Sequence, residues 1–229
     1  MTVAIMQPYF SPYIGYWQLI NVVDTFVIYD DVNYIKQGYI NRNSILIGDK
    51  AHRITLEVIG ASSNSLINQV IVGSNRKKLL KGIDQAYKKA PEYEKVFPFL
   101  QIILENPEKN LAKFIGNSIQ EISNYLKLNT KIIYSSTIEK NNSLKAQDKV
   151  LSICEQLGAS RYINSIGGQD LYSKKDFRIK HVELNFLQTE LIDYKQFKNE
   201  FVPHLSIIDV MMFNSVDSIN KMLNRYKLI

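Results

Sequence analysis

Short apolar runs of strand length alternate with stripes of helical spacing along this chain. Residues 2–6 (TVAIM) and 25–29 (TFVIY) are continuous apolar runs, the pattern of strands buried on both faces. Between them, QPYFSPYIGY carries two prolines and a glycine and reads as a shaped loop. Trp17, Leu19, Ile20 and Val23 then predict a short helix. Strand, loop, helix and strand in close succession predict the opening of a parallel βαβ unit.

The pattern changes after residue 30. Residues 32–43 read as a loop, and SILIGDKAHRITLEVI as a hairpin around Gly48-Asp49. INQVIVG (67–73) predicts another short strand. Leu79, Leu80, Ile83, Ala86 and Tyr87 predict an amphipathic helix over 75–89, and helical spacing resumes after Pro91. Leu111, Ile115, Ile119, Ile122 and Leu126 make a further stripe. Strand patterns at 131–136, 161–165 and 182–187 then alternate with helix at 144–157, and the tail predicts helices at 206–213 and 216–227. The expectation is a single α/β domain over 1–229: a Rossmann-like, mainly parallel sheet with an inserted β-hairpin and a helical elaboration. Residues 76–127 are a candidate subdomain.

Composition narrows the class. Apolar residues are 45% and charged residues 22% of the 229, which excludes a disordered tail or a disulfide-stapled mini-protein. The single cysteine, Cys154, falls in a helical stripe, which favours core over nucleophile and fits a reducing cytoplasm. No apolar run reaches the ~20 residues that span a bilayer, and the N-terminus lacks a signal-peptide pattern. The net charge is +6, with a local basic surplus over 76–95. That modest excess suits a phosphorylated small molecule better than nucleic acid. His52, His181 and His204 share no metal-ligand spacing with one another or with Cys154, so no metal site is expected.

Ligands of parallel α/β sheets bind beyond the carboxyl ends of the strands, a rule that selects three segments. The first holds Gln7, Tyr9, Tyr13, Gly15 and Tyr16. Gly15 would allow close approach to a helix N-terminus, although a packed turn whose tyrosines plug the sheet edge explains the same residues. The second carries Asp30, Asp31, Lys36, Asn41, Arg42 and Asn43. Neighbouring side chains on a strand point to opposite faces, so only one of the two aspartates is expected to aim into a site. Lys36 and Arg42 suit phosphate or carboxylate; an Asp cap with a solvated ion pair explains one acid and one base, but less readily the whole polar cluster. The third, NSIGGQD, offers Asn164, Gly167 and Gly168, and a plain turn also fits it. Asp209 lies in an apolar run, as a helix-face residue or in a buried network, and Ser206 is a candidate N-cap before it.

The stretches MQPYFSPYIGYWQLI, VDTFVIYDDVNYIKQGYINRN, SSNSLINQVIV, AYKKAP, YINSIGGQDLY and LSIIDVMMFN resemble the WbqC-like family of bacterial proteins. The likeness runs over nearly the whole chain. Its matching positions include Gln7, Pro8, Tyr9, Pro12, Tyr13, Gly15, Tyr16, Asp30, Asp31, Lys36, Asn41, Arg42, Asn43, Gly167, Gly168, Ser206 and Asp209. Tyr39 stands where the family carries tryptophan, and His204 where it carries an aromatic residue. Genes of this family lie among those for surface polysaccharides, which implies a sugar-modifying role. A weaker likeness is to the H-x-G-H signature of nucleotidylyltransferases and pantothenate synthetase. Tyr13-Ile14-Gly15-Tyr16 has its place and spacing, with neutral phenols for both histidines.

Together these imply a cytoplasmic transferase of O-antigen or other surface-polysaccharide biosynthesis. It would form an amide on an amino sugar, nucleotide-linked, from glycine or another small acyl donor. A transferase with a pre-activated donor and a sugar- or nucleotide-binding accessory protein are the alternatives. ATP is a candidate cofactor and a homodimer a candidate state. Catalytic roles would fall to Asp30, Asp31, Lys36 and Arg42. Substrate binding would fall to Gln7, Tyr9, Tyr13, Gly15, Tyr16, Asn41, Asn43, Asn164, Gly167, Gly168, Ser206 and Asp209.

Overall fold

A computed structural model describes residues 1–198 and 200–229. Strands β1 (Thr2–Met6) and β2 (Thr25–Ile28) pair in parallel around helix α1 (Ile14–Asn21). A long excursion follows. It holds the hairpin β3 (Arg42–Ile47) and β4 (Lys50–Thr55), the two-residue ladder β5 (Val58–Ile59) with β6 (Ile71–Val72), and helices α2 (Arg76–Tyr87), α3 (Tyr93–Glu105) and α4 (Leu111–Tyr125). The chain returns to the main sheet as β7 (Lys131–Tyr134). Helix α5 (Ala146–Gln156), β8 (Arg161–Ser165), α6 (Lys174–Ile179) and β9 (Glu183–Thr189) come next, then α7 (Ile207–Phe213), α8 (Val216–Met222) and β10 (Tyr226–Leu228).

The main sheet has the order β10-β9-β8-β1-β2-β7. All its pairings are parallel except that of β10 with β9. Counted along the chain, the order is that of a doubly wound Rossmann sheet, and its direction reverses between β1 and β8. Both faces are covered, which is why the strands read as continuous apolar runs. Ala4, Phe26 and Ile28 pack with α1, α4 and α7, whereas Val3, Ile5 and Val27 pack with α5 and α6. Residues of α2, α3 and α4 belong to the same apolar cluster as the first of these faces.

Two predicted elements differ. The strand over 67–73 is a 3-10 turn at Ile67–Gln69 followed by only two strand residues. The Asn68 backbone is drawn elsewhere: its N–H donates to the Asp30 carbonyl, and its own carbonyl accepts from the Asn110 side chain. The second tail helix stops at Met222, and Tyr226–Leu228 becomes an antiparallel edge strand on β9. Buried Gln18 on α1 donates to the carbonyls of Met222 and Arg225, 2.9 Å each, taking up chain-end acceptors where the helix unwinds. No helix among the described residues is long and apolar enough to cross a membrane.

Candidate functional site

The reversal between β1 and β8 makes the carboxyl ends of those strands the place where a ligand is expected in a sheet of this kind. Gln7 follows β1, and Asn164 and Ser165 end β8. Tyr29 continues from β2, its N–H donating to the Met6 carbonyl at 2.8 Å. The side chains of Gln7 and Tyr29 make no hydrogen bond among the described residues, so both keep free polar groups at this edge. The Tyr29 hydroxyl stays protonated, because burial and then the Asp31 charge push its pKa up.

The two aspartates diverge as strand geometry requires. Asp30 is 3% exposed. It accepts the Ser136 N–H at 2.9 Å, the Ser136 hydroxyl at 2.6 Å and the Asn68 amide at 3.3 Å. It thus ties the turn after β7 to the 3-10 turn of the excursion. Asp31 faces the α5 side. Its Oδ2 lies 2.9 Å from Lys140 Nζ and 3.1 Å from Lys149 Nζ, and Ser135 donates to Oδ1. Lys149 also donates to the Asp31 carbonyl at 2.8 Å and lies 5.5 Å from the centre of the Tyr29 ring. Lys140 also donates to the Ser135 and Ile138 carbonyls. The lysine side chains are 1% and 7% exposed. Burial alone would raise the Asp31 carboxyl, but the bonds from Lys140, Ser135 and Lys149 outweigh it and hold its pKa below the ordinary 3.8.

Lys140 and Lys149 were not among the residues singled out in the sequence. Nothing in their local pattern marks them: one lies in a polar loop and the other in a helix of mixed charge. The one available signal was Asp31 itself, a carboxylate ending a buried strand and needing a cation.

On the α1 side, tyrosines dominate. Tyr16 is 3% exposed, and its hydroxyl donates to the Gln7 carbonyl at 2.9 Å. Its ring lies 5.2 Å from Phe26 in the core and 5.6 Å from Tyr9. Tyr9 in turn lies 6.0 Å from Tyr39. The close approach at Gly15 is made by the protein itself: a Cβ there would sit 2.5 Å from the Tyr13 ring and 2.6 Å from the Thr189 hydroxyl. Tyr13 therefore folds over the start of α1. Gly168 likewise admits the Asn164 side chain, with 2.5 Å from a Cβ to its amide nitrogen, while Gly167 faces open space.

Several other predicted residues are tied into the scaffold. Asn43 donates to the Phe10 and Ser11 carbonyls and accepts from Ser44 N–H. Asn41 accepts from Tyr34 and donates to the Leu56 carbonyl. Ser206 caps α7 and donates to the Ser11 carbonyl at 2.8 Å. Asp209 is fully buried and accepts from Tyr87, Tyr194 and Gln196 at 2.7–2.8 Å. Burial raises its pKa, and those three bonds lower it in part. Arg42 donates from Nε to the Gly38 carbonyl at 2.8 Å and keeps its two terminal nitrogens without a partner among the described residues; Lys36 is exposed and unpaired there too.

A hollow of about 450 Å³ lies elsewhere, lined by Gly48, Gln85, Ala86, Lys88, Lys89, Phe197 and Lys198. It takes in the C-terminal end of the basic helix and none of the predicted site residues. Among the described residues no group of three or more His, Cys, Asp or Glu side chains is placed to hold a metal.

A model of the WbqC-like protein family matches residues 7–221. The chain belongs to this family. It is also 27% identical over 217 residues to the uncharacterized protein Rv1507c of Mycobacterium tuberculosis, covering 93% of each chain. A second match, 26% identical over 148 residues, is to a DNA-directed RNA polymerase subunit beta of Eimeria tenella; it covers 59% of this chain and 13% of that one. No solved structure matches. The WbqC-like match runs from the loop after β1 into α8, so it contains the segments after β1, β2 and β8 and the Asp31–Lys140–Lys149 group.

Proposed function

We propose that this WbqC-like protein is a transferase that forms an amide on an amino sugar, carried by a nucleotide, at the carboxyl edge of its parallel sheet. The observation that supports this most is the strand reversal between β1 and β8, the place where a parallel sheet of this kind takes its ligand, beside free Gln7 and Tyr29 groups and a buried carboxylate–lysine cluster. Acyl transfer to an amine develops negative charge on the acyl oxygen and on the leaving group. The Lys140–Asp31–Lys149 cluster, two cations around one carboxylate, supplies net positive charge and the Tyr29 hydroxyl a neutral donor against that charge in a partly dry setting.

Within this reading the two aspartates act as positioning residues. Asp31 is a weak base, because its lysines hold it ionised, and it serves to position them. Asp30 braces the turn at Ser136. The sugar ammonium therefore loses its proton to water at this edge before it attacks. Gln7, Asn164 and the backbone at Gly167 line the substrate, with Tyr9 and Tyr13 above α1. Asn41, Asn43, Ser206 and Asp209 act through the loops they hold.

The test combines purified protein, glycine, ATP and a nucleotide-linked amino sugar, read by mass spectrometry. The expected product carries the amino acid less one water. Unchanged sugar across a panel of amino acids, with and without ATP and with pre-formed acyl phosphates, overturns the reading. Product from acyl phosphates alone assigns a pre-activated donor.

A further inference from the structure

Tyr39 is 62% exposed, yet it is not loosely held. Its carbonyl accepts the Phe10 N–H at 3.1 Å, and its ring leans on Tyr9 at 6.0 Å. Tyr9 leans on buried Tyr16, and Tyr16 on Phe26 in the core. A row of four aromatic rings thus runs from the sheet to the surface and ends in an open face. Tyr13, 37% exposed, lies close enough that the Tyr39 phenol adds to the burial that raises both the Tyr9 and Tyr13 hydroxyls.

The groups around this face lack partners. The hydroxyls of Tyr9 and Tyr39 make no hydrogen bond among the described residues. The Arg42 fork is fixed through Nε to the carbonyl of Gly38, the residue before Tyr39, with both terminal nitrogens free. A fixed guanidinium presents two parallel donors, the geometry that grips a phosphate.

We propose that Tyr39 and Tyr9 form the platform for the pyranose ring of a phosphorylated sugar, with Arg42 gripping its phosphate. This rests on the proposed function and names the substrate half that the α1 wall recognises. A chair-shaped sugar has an apolar C–H face rimmed by hydroxyls, and a tyrosine has an apolar face with a polar tip. The two ring planes are inclined by 52°, so they do not share one flat surface. Inclined apolar faces suit a puckered ring, whereas a flat base stacks on a parallel surface. Tyr39 carries the binding and Arg42 the preference for phosphate over a neutral glycoside.

The experiment is saturation-transfer NMR and calorimetry on the full chain with UDP-N-acetylglucosamine, methyl N-acetylglucosaminide, uridine monophosphate and inorganic phosphate. Saturation is expected at the axial protons on one face of the sugar. Tyr39→Ala should weaken UDP-N-acetylglucosamine by about tenfold, the equivalent of ~1.4 kcal/mol, and Tyr39→Trp should restore it. Arg42→Ala should remove the advantage of the sugar nucleotide over the methyl glycoside. Three results overturn the proposal: saturation confined to the uracil protons, binding unchanged in Tyr39→Ala, or a dimer in sedimentation that Tyr39→Ala dissolves. Because Tyr39 is exposed, its variants test binding without unfolding the chain. Sugar binding at Tyr39 with no amide formed by any donor would sink the proposed reaction and leave the platform. Amide formation undiminished in Tyr39→Ala would do the reverse.

Discussion

Replacing Asp31 by asparagine removes the carboxylate shared by Lys140 and Lys149 and leaves its shape. The side chains concerned are 11%, 1% and 7% exposed, so water cannot take over the lost charge. Deleting one partner of a buried ion pair costs ~3–5 kcal/mol. The asparagine oxygen keeps a contact for Ser135, which places the expected loss at the lower end, about 3 kcal/mol. In a chain of this size that lowers Tm by roughly 6–12 °C. Trp17, the single tryptophan and fully buried, reports unfolding in urea by its fluorescence. The effect has a pH signature. The folded pKa of Asp31 is depressed, so its contribution is present above the unfolded value near 3.8 and is lost as pH falls through the lower folded value. The gap between wild type and Asp31→Asn should therefore be full at pH 7 and close in acid. Adding Lys149→Met to Asp31→Asn should recover part of the loss, because it removes a stranded ammonium. A gap under ~1 kcal/mol at neutral pH, or one that persists unchanged once the wild-type carboxyl is protonated, would refute this account of the cluster.

Further outcomes follow from other parts of the molecule. Asp209→Ala strands the Tyr87 and Tyr194 hydroxyls and takes one of two acceptors from the Gln196 amide, in a site of 0% exposure, and should cost about 3 kcal/mol in urea melts, while Asp209→Asn should cost less because the two hydroxyls can turn. The raised folded pKa of Asp209 makes its contribution largest below 3.8 and lost as pH rises through the folded value, so Asp209→Asn should flatten that part of the stability–pH curve. Gly15→Ala should destabilise by about 1–3 kcal/mol, because its Cβ would meet both the Tyr13 ring, which is partly exposed and can swing out, and the Thr189 hydroxyl on β9, which cannot move as freely. The readout is a changed Tyr13 environment in NMR; an unmoved ring would count against the close contact. Cys154 is fully buried with its thiol pushed up to about 12, by burial first and then by Glu155. It should resist a thiol reagent at pH 8 in the native protein and react on unfolding in urea; native-state reactivity on the mixing timescale would contradict its placement.

The legible parts of the chain were those whose signal is local. Strands buried on both faces must be apolar at every position, so β1 and β2 could be read directly, with α1 and the hairpin around Gly48-Asp49. Strand–helix alternation then implied a parallel sheet, and the carboxyl-edge rule brought residues 7–16, 30–43 and 164–170 together. The strict alternation of side chains on an extended backbone was also enough to foresee that Asp30 and Asp31 part ways.

What each aspartate meets was not local. Lys149 lies 118 residues from Asp31 in sequence, and Ser136 lies 106 from Asp30. Their partnership exists only because β2 and β7 pair and α5 starts beside their ends. The Asp209 network is likewise assembled from Tyr87, 122 residues away, and from Tyr194 and Gln196. The tail could not be read either: Tyr226–Leu228 is a strand because β9 offers an open edge and Gln18 takes the carbonyls where α8 ends. Sequence by itself determined which residues are apolar, where the chain turns and where polar groups collect. Tertiary structure decided which of those polar groups are spent on holding the scaffold and which stay free, because a buried charge or donor takes whichever partner the packed sheet brings within 3 Å.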